Sequence, residues 1–146
     1  DIVERDSILN LLDHEFIVVA CGGGGVPVIA DEEGDYHGVS AVIDKDFASA
    51  KLAELVKADY LFILTAVDRV AINWGTPEQQ ELETMTLEEA ERYCAEGHFA
   101  PGSMLPKVQA AMQFAASGKG RKALITLLEK AEEGIAGKTG TTIMAE

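Results

Sequence analysis

The chain has little positive charge, few aromatic residues and almost no cysteine. Lysine and arginine number 12 against 25 aspartates and glutamates, for a net charge of −13, and aromatics make up 6% of the residues. That balance excludes the basic patches that nucleic acids and anionic membranes select. It also means that a lysine serving an anionic ligand must do so by local placement, against the overall field. The two cysteines, Cys21 and Cys94, lie far apart and outside any CxxC spacing, which fits a reduced, cytoplasmic setting. No apolar run approaches the roughly 20 residues of a membrane span. His14, His37 and His98 are isolated, with neither the i, i+4 pairing nor the cysteine neighbours of a metal site. His14 and His37 read as surface residues, and His98 as a residue that could line a site. The GxSxG elbow of a serine hydrolase is missing. A thiol nucleophile at Cys21 would lack a paired histidine.

At 146 residues, 47% of them hydrophobic, the chain suits one domain that buries roughly 70% of its unfolded surface. Apolar runs alternate with amphipathic stretches, the signature of an α/β protein. Helices are expected at about 4–13, 44–57, 77–82, 86–96, 105–117 and 127–136, and strands at 16–21, 60–64, 70–73, 123–126 and the final turn-and-strand from 137. Phe16-Ile17-Val18-Val19-Ala20 reads as a buried parallel strand. Residues 30–38 read as an acidic hairpin turn, and Thr86 with Glu89 as a capping box. The chain opens at Asp1 rather than methionine, so a fragment or processed piece is as good a reading as a complete gene product.

Four consecutive glycines, Gly22, Gly23, Gly24 and Gly25, directly follow the first apolar run. Glycine loses more backbone entropy on folding than any other residue, so such a block needs a reason. Close approach of main-chain N–H groups to phosphate or carboxylate oxygens supplies one. The run has neither the Lys-Ser/Thr ending of a Walker loop nor the GxGxxG register of a dinucleotide site. A tight loop is the competing account.

Two lysines occupy positions that helix electrostatics disfavour. Lys45, in Ile43-Asp44-Lys45-Asp46, and Lys107, in Gly102-Ser103-Met104-Leu105-Pro106-Lys107, each fall in the first turn of an expected helix. A cation there faces the positive end of the macrodipole at a cost of up to ~1 kcal/mol. A phosphate held between lysine and helix end removes that cost, and phosphoryl transfer requires this charge neutralisation. Lys45 could equally be a solvated lysine beside a carboxylate. Asp46 reads as a cap, as a group that orients the lysines, or as a Mg2+ ligand. Thr65 ends the second expected strand at the edge where open parallel sheets bind ligands. Beyond it, Val67, Val70, Ala71 and Ile72 either pack an adenine ring or fill the core. Trp74 is a loop anchor or a base-side wall.

Together these segments resemble carbamate kinases, of the amino acid kinase family. The matching runs are Val18-Val19-Ala20-Cys21-Gly22-Gly23-Gly24-Gly25-Val26-Pro27-Val28, Ala41-Val42-Ile43-Asp44-Lys45-Asp46, Leu64-Thr65-Ala66-Val67 with Val70-Ala71-Ile72-Asn73, Glu96 through Val108, and Gly140-Thr141-Thr142-Ile143. They keep the family's order and cover nearly the whole chain. The resemblance implies a three-layer αβα sandwich around a mainly parallel sheet. It implies reversible phosphoryl transfer between carbamoyl phosphate and ADP, giving ATP and carbamate, with ATP/ADP and Mg2+ as cofactors. It implies a cytoplasmic homodimer serving arginine catabolism, with no nucleic-acid or membrane partner. Lys45 and Lys107 would neutralise the transferring group and Asp46 would order them. Thr65, Ala66, Val67, Val70, Ala71, Ile72, Gly102, Ser103, Met104 and Lys107 would hold the nucleotide. Gly22, Gly23, Gly24 and Gly25 would approach the carbamate and phosphate side.

Two departures stand out. Ala66 occupies a position where many members carry aspartate, and the family's amino-terminal half, with its own glycine loop and a further lysine, is not represented. Residues 1–146 therefore read as a single ATP-binding domain, the carboxyl-terminal half of a two-lobed kinase, with little turnover alone. The alternatives are a non-catalytic nucleotide-binding half-kinase and another acyl-phosphate-forming amino acid kinase. Lys107→Ala is expected to abolish catalysis with the fold preserved, since the site is a helix start.

Overall fold

The computed structural model describes residues 1–145. Its centre is a four-stranded sheet of β3 (Tyr60–Thr65), β7 (Lys122–Leu127), β8 (Thr141–Met144) and β6 (Thr84–Thr86), in the order β3-β7-β8-β6. β3 runs parallel to β7 and β6 parallel to β8, while β7 and β8 are antiparallel. Two of the three pairings are parallel, so the sheet is mixed but mainly parallel, as expected. Residues 128–140 return the chain so that β8 runs back antiparallel along β7.

Three helices cover one face: α2 (Lys45–Leu55), α3 (Leu87–Ala95) and α4 (Met104–Ala116). α4 lies at the centre of this layer, against α2, α3, β7 and β8. Its Val108, Ala110, Ala111, Phe114 and Ala115 are buried, as are Ala48, Ala50 and Ala53 of α2. These small side chains let the two helices approach closely. Leu61, Ile63, Ala123, Ile125 and Ile143 meet them from the sheet. Strand alternation sends Leu124 and Thr126 to the opposite face. There α5 (Ala131–Ile135) lies with Gly134 so close that a Cβ would fall 2.9 Å from Leu124 and 3.0 Å from Thr126. Helices therefore flank the sheet on both sides, as expected. The remaining elements are α1 (Arg5–Asp13), the hairpin β1 (Val28–Ala30) with β2 (Tyr36–Gly38), and the small pair β4 (Ala71–Ile72) with β5 (Gln80–Glu81).

Local chemistry accounts for the helix starts. Asp44 Oδ1 accepts from the N–H groups of Asp46 (2.8 Å) and Phe47 (3.4 Å) to cap α2. Thr86 and Glu89 close a reciprocal capping box on α3. Pro106 sits in the first turn of α4, where a missing N–H breaks no helical bond. The connection behind β3 is pinned through Thr141, fully buried, whose hydroxyl accepts from Val70 N–H (2.8 Å) and donates to Leu82 O (2.5 Å).

Three expectations fail. Residues 16–21 form no strand: Ile17 and Val19 are 99% and 95% exposed. β-branched composition favours a strand only where neighbouring strands take up its hydrogen bonds, and the described residues supply none here. Residues 77–82 form a turn and the short β5 rather than a helix, because Gln80 and Glu81 pair with β4. The expected helix at 127–136 breaks into a 3₁₀ turn (Leu128–Lys130) followed by the short α5. β6, only three residues long, carries too little periodicity to announce itself.

The β1–β2 turn is organised by Asp31, whose Oδ1 accepts from Glu33 and Asp35 N–H and whose Oδ2 meets His37 Nε2 at 2.5 Å. The His37 contact, then the Asp35 N–H, holds this carboxyl below its ordinary value. A carboxylate depressed in the folded state contributes order above its unfolded pKa and loses it as pH falls through the lowered one. Amide-exchange protection in residues 28–38 is therefore expected to stay flat down to about pH 4 and to decay below it. His37→Ala should move the Asp31 titration, followed by NMR, upward.

Candidate functional site

The site follows from connectivity. α2 ends at Leu55 and β3 begins at Tyr60; α4 ends at Ala116 and β7 begins at Lys122. Connections this short fold each helix back antiparallel to the strand that follows it. The amino ends of α2 and α4 therefore lie at the carboxyl edge of the parallel pair β3–β7, where Thr65 is opposite Leu127. That is the edge at which open α/β sheets bind ligands.

There the three segments singled out in sequence meet. Lys107 Nζ donates to Asp46 Oδ2 at 2.9 Å, with the side chains 14% and 10% exposed. Lys107 is on the first turn of α4 and Asp46 on the first turn of α2, beside Lys45. The lysines therefore share one helix layer and one sheet edge. The glycine run closes on the same place. Gly24 is buried at φ +137°, and a Cβ on it would fall 2.0 Å from Ile43 O. Its N–H donates to Cys21 O at 2.7 Å. Only a glycine allows that passage across the entry to α2. A Cβ on Gly22, Gly23 or Gly25 would meet open space, though Gly22 and Gly25 also have positive φ.

The charges are unequally committed. Asp46 offsets Lys107, whereas Lys45 is exposed and has no ion-pair partner among the described residues. Ser103 gives α4 no side-chain cap, and the first turn of α4 contains no acidic residue. The amino end of α4 is therefore positive and open. Chemically the arrangement is a one-sided cationic corner suited to an anion.

The other expected contacts divide by burial. Ala66, Gly102 and Ser103 are exposed, and Thr65, Val67, Ile72 and Met104 half-buried. Val70 and Ala71 are core residues; the Val70 N–H and C=O are taken by Thr141 and by Leu82 N–H (2.8 Å). An open apolar depression lined by Phe47, Leu87, Glu91, Gln109, Met112 and Gln113 lies on the outer helix face and includes none of these residues. Among the described residues, no three His, Cys, Asp or Glu side chains converge as a metal site. Burial, then Glu4, pushes the Cys21 thiol above its ordinary pKa, the opposite of what a nucleophile needs.

Sequence reasoning missed the ties behind this edge. Asp68 accepts from Lys130 Nζ (2.6 Å) through its carboxylate and from Thr126 Oγ1 (3.4 Å) through its carbonyl. Arg69 pairs with Glu83 at 2.9 Å. These partners are far apart in the chain, and no local pattern could have linked them.

Comparison with known proteins gives the family. The amino acid kinase family model matches residues 1–126, and the chain belongs to that family. It is 58% identical over 144 residues to the carbamate kinase-like protein YqeA of Escherichia coli, covering 98% of this chain and 46% of that protein. It is 53% identical over 145 residues to carbamate kinase of Clostridium perfringens, covering 99% and 46%. Among solved structures, carbamate kinase from Giardia lamblia bound to AMP-PNP superposes with a TM-score of 0.94 at 40% identity, over 100% of this chain and 50% of that one. The chain spans about half the length of the relatives it matches. N-acetylglutamate synthase from Neisseria gonorrhoeae, at 20% identity and a TM-score of 0.69, shares the fold.

The ion pair changes what Lys107→Ala should do. Removing the ammonium strands a mostly buried carboxylate, so the variant should lose roughly 3 kcal/mol of stability by urea denaturation, where sequence alone suggested an intact fold. In a double-mutant cycle, Asp46→Asn with Lys107→Ala should cost less than the two singles added; strict additivity would deny the coupling. Gly24→Ala should cost more than about 1 kcal/mol and loosen residues 21–26 in amide exchange, while Gly23→Ala stays near wild type.

Proposed function

We propose that this chain is the nucleotide-binding, carboxyl-terminal half of a carbamate kinase, which transfers a phosphoryl group reversibly between carbamoyl phosphate and ADP to give ATP and carbamate. The observation that carries the reading is the Asp46–Lys107 bond. It joins the amino ends of two helices at the ligand-binding edge of the sheet, with the glycine run against one of them. The 53% identity to a named carbamate kinase and the close fit to one bound to a nucleotide analogue support it.

In this reading Lys45 is the mobile cation that follows the transferring group, a task suited to a compact point charge on a flexible stem. Lys107 is held rigid by Asp46, so its charge need not reorganise during the reaction. Gly22, Gly23, Gly24 and Gly25 offer main-chain N–H groups on the carbamate and phosphate side. Thr65, Ala66, Val67, Ile72, Gly102, Ser103 and Met104 contact the nucleotide, and Val70 and Ala71 back that segment from the core. Asp46 is committed to Lys107, so the side chains here do not form a Mg2+ cage. The residues of this half fit a metal held by phosphates and water. The whole enzyme is proposed to be a cytoplasmic homodimer, with the other half of its length supplying the rest of the carbamate site.

The test is a coupled assay of ATP formation from carbamoyl phosphate and ADP by the full-length enzyme. Activity is expected there and little or none in residues 1–146 alone. Lys45→Ala should lower kcat by about 10²-fold or more. A full-length protein inert with carbamoyl phosphate but active with acetylglutamate or aspartate would reassign the substrate. One that binds ADP without turnover would make this a nucleotide-binding module.

A further inference from the structure

His98 opens the connection from α3 to α4 and contacts the turn that follows β4. α3 ends in a Schellman closure: Gly97, at φ +78°, donates to Cys94 O (3.2 Å) and His98 N–H to Tyr93 O (3.1 Å). The His98 ring then packs edge-on against Tyr93, centroids 5.6 Å apart at 79°, and the next residue, Phe99, is 3% exposed. Backbone closure on one side and a core anchor on the other leave the imidazole, 21% exposed, little freedom of direction.

Both ring nitrogens are used. Nδ1 lies 3.4 Å from Asn73 N, and Nε2 lies 3.2 Å from Glu96 Oε2. A main-chain N–H can only donate, so Nδ1 must be the bare nitrogen, and the ring proton sits on Nε2, facing Glu96. Histidine meets this demand because it offers an acceptor on one side and a donor on the other.

The partner is an unusual residue. Asn73 follows β4 at φ +53°, a left-handed conformation that a non-glycine residue keeps only when its surroundings hold it. Its carbonyl accepts from Thr76 N–H and Thr76 Oγ1, and its side chain donates to Glu78 O. Those bonds stay inside the turn. Among the described residues 73–79, the hydrogen bond to His98 is the one that reaches another part of the fold. The turn also carries Trp74, 60% exposed and the single tryptophan of the chain.

We propose that His98 is a positioning residue for the nucleotide site. Through Nδ1 it fixes the turn that closes the segment from Thr65 to Ile72 to the connection that delivers Gly102, Ser103, Met104 and Lys107. Its role toward nucleotide rests on the function proposed above, while the tether itself rests on geometry alone, and two readouts keep them apart. In residues 1–146, His98→Ala should lower the fluorescence anisotropy of Trp74 and shift its emission, with circular dichroism unchanged. His98→Phe keeps the ring against Tyr93 but removes the acceptor; it should act like His98→Ala and serves if that variant fails to fold. His98→Asn, whose amide oxygen can replace Nδ1, should restore the wild-type signal. Unchanged anisotropy in His98→Phe overturns the tether, whether or not nucleotide binds. In the full-length enzyme, His98→Phe should raise the nucleotide KM roughly three- to tenfold, the effect of one lost hydrogen bond. KM for carbamoyl phosphate and kcat should stay within about twofold, and His98→Asn should recover the nucleotide KM. A nucleotide KM unmoved by His98→Phe overturns the positioning role.

Discussion

The carboxylate of Asp46 between two helix ends is the constraint on which the rest of the site depends. The amino termini of α2 and α4 both carry partial positive charge, and each has a lysine in its first turn. Without compensation, such ends repel and would not pack side by side. Asp46 caps no helix; its Oδ2 receives Lys107 across 61 residues of sequence. The alanines of α2 and α4 give the helices the proximity this bond requires. A bond of this kind contributes little to net stability, since desolvation offsets much of the attraction. Its consequence is geometric: one cation is fixed, and the other is exposed with no ion-pair partner among the described residues.

The glycine run and the sheet edge acquire meaning from that arrangement. Gly24 passes against Ile43 O because the entry to α2 is held in place. The turn beyond β3 is then tied from behind by Thr126, Lys130 and Thr141 and from the side by His98. The result is a rigid frame around a positive corner. The fold alone does not select a substrate, since an N-acetylglutamate synthase shares it at 20% identity. What distinguishes this chain is the set of groups placed at the edge: the Asp46–Lys107 pair, the exposed Lys45 and the glycine run.

Much of the fold was legible because its signals are local. Asp44 and the Thr86–Glu89 box announce helix starts, and the acidic turn announces a hairpin. The Tyr60 and Ala123 runs announce strands, each by chemistry acting within a few residues. The two strand errors share one cause. Residues 16–21 have strand composition but no partner among the described residues, whereas Gln80 and Glu81 have poor strand composition but pair with β4. Strand formation is settled by the neighbour, and a neighbour distant in sequence leaves no local trace. The antiparallel pairing of β8 with β7 is likewise settled by the neighbouring strand.

For the site, the sequence alone determined the inventory: two first-turn lysines, the aspartate beside one of them, a glycine block and a strand-end threonine. The lysines and the glycine block were conspicuous because their residue types conflict with their local setting, and such conflict is readable without coordinates. Tertiary structure decided the assignments among them. It paired Asp46 with Lys107 and left Lys45 exposed, withdrew Val70 and Ala71 into the core, required glycine at Gly24 rather than at its neighbours, and brought His98 to Asn73. Those outcomes are distances between segments dozens of residues apart, and only the packing of helices on the sheet sets them.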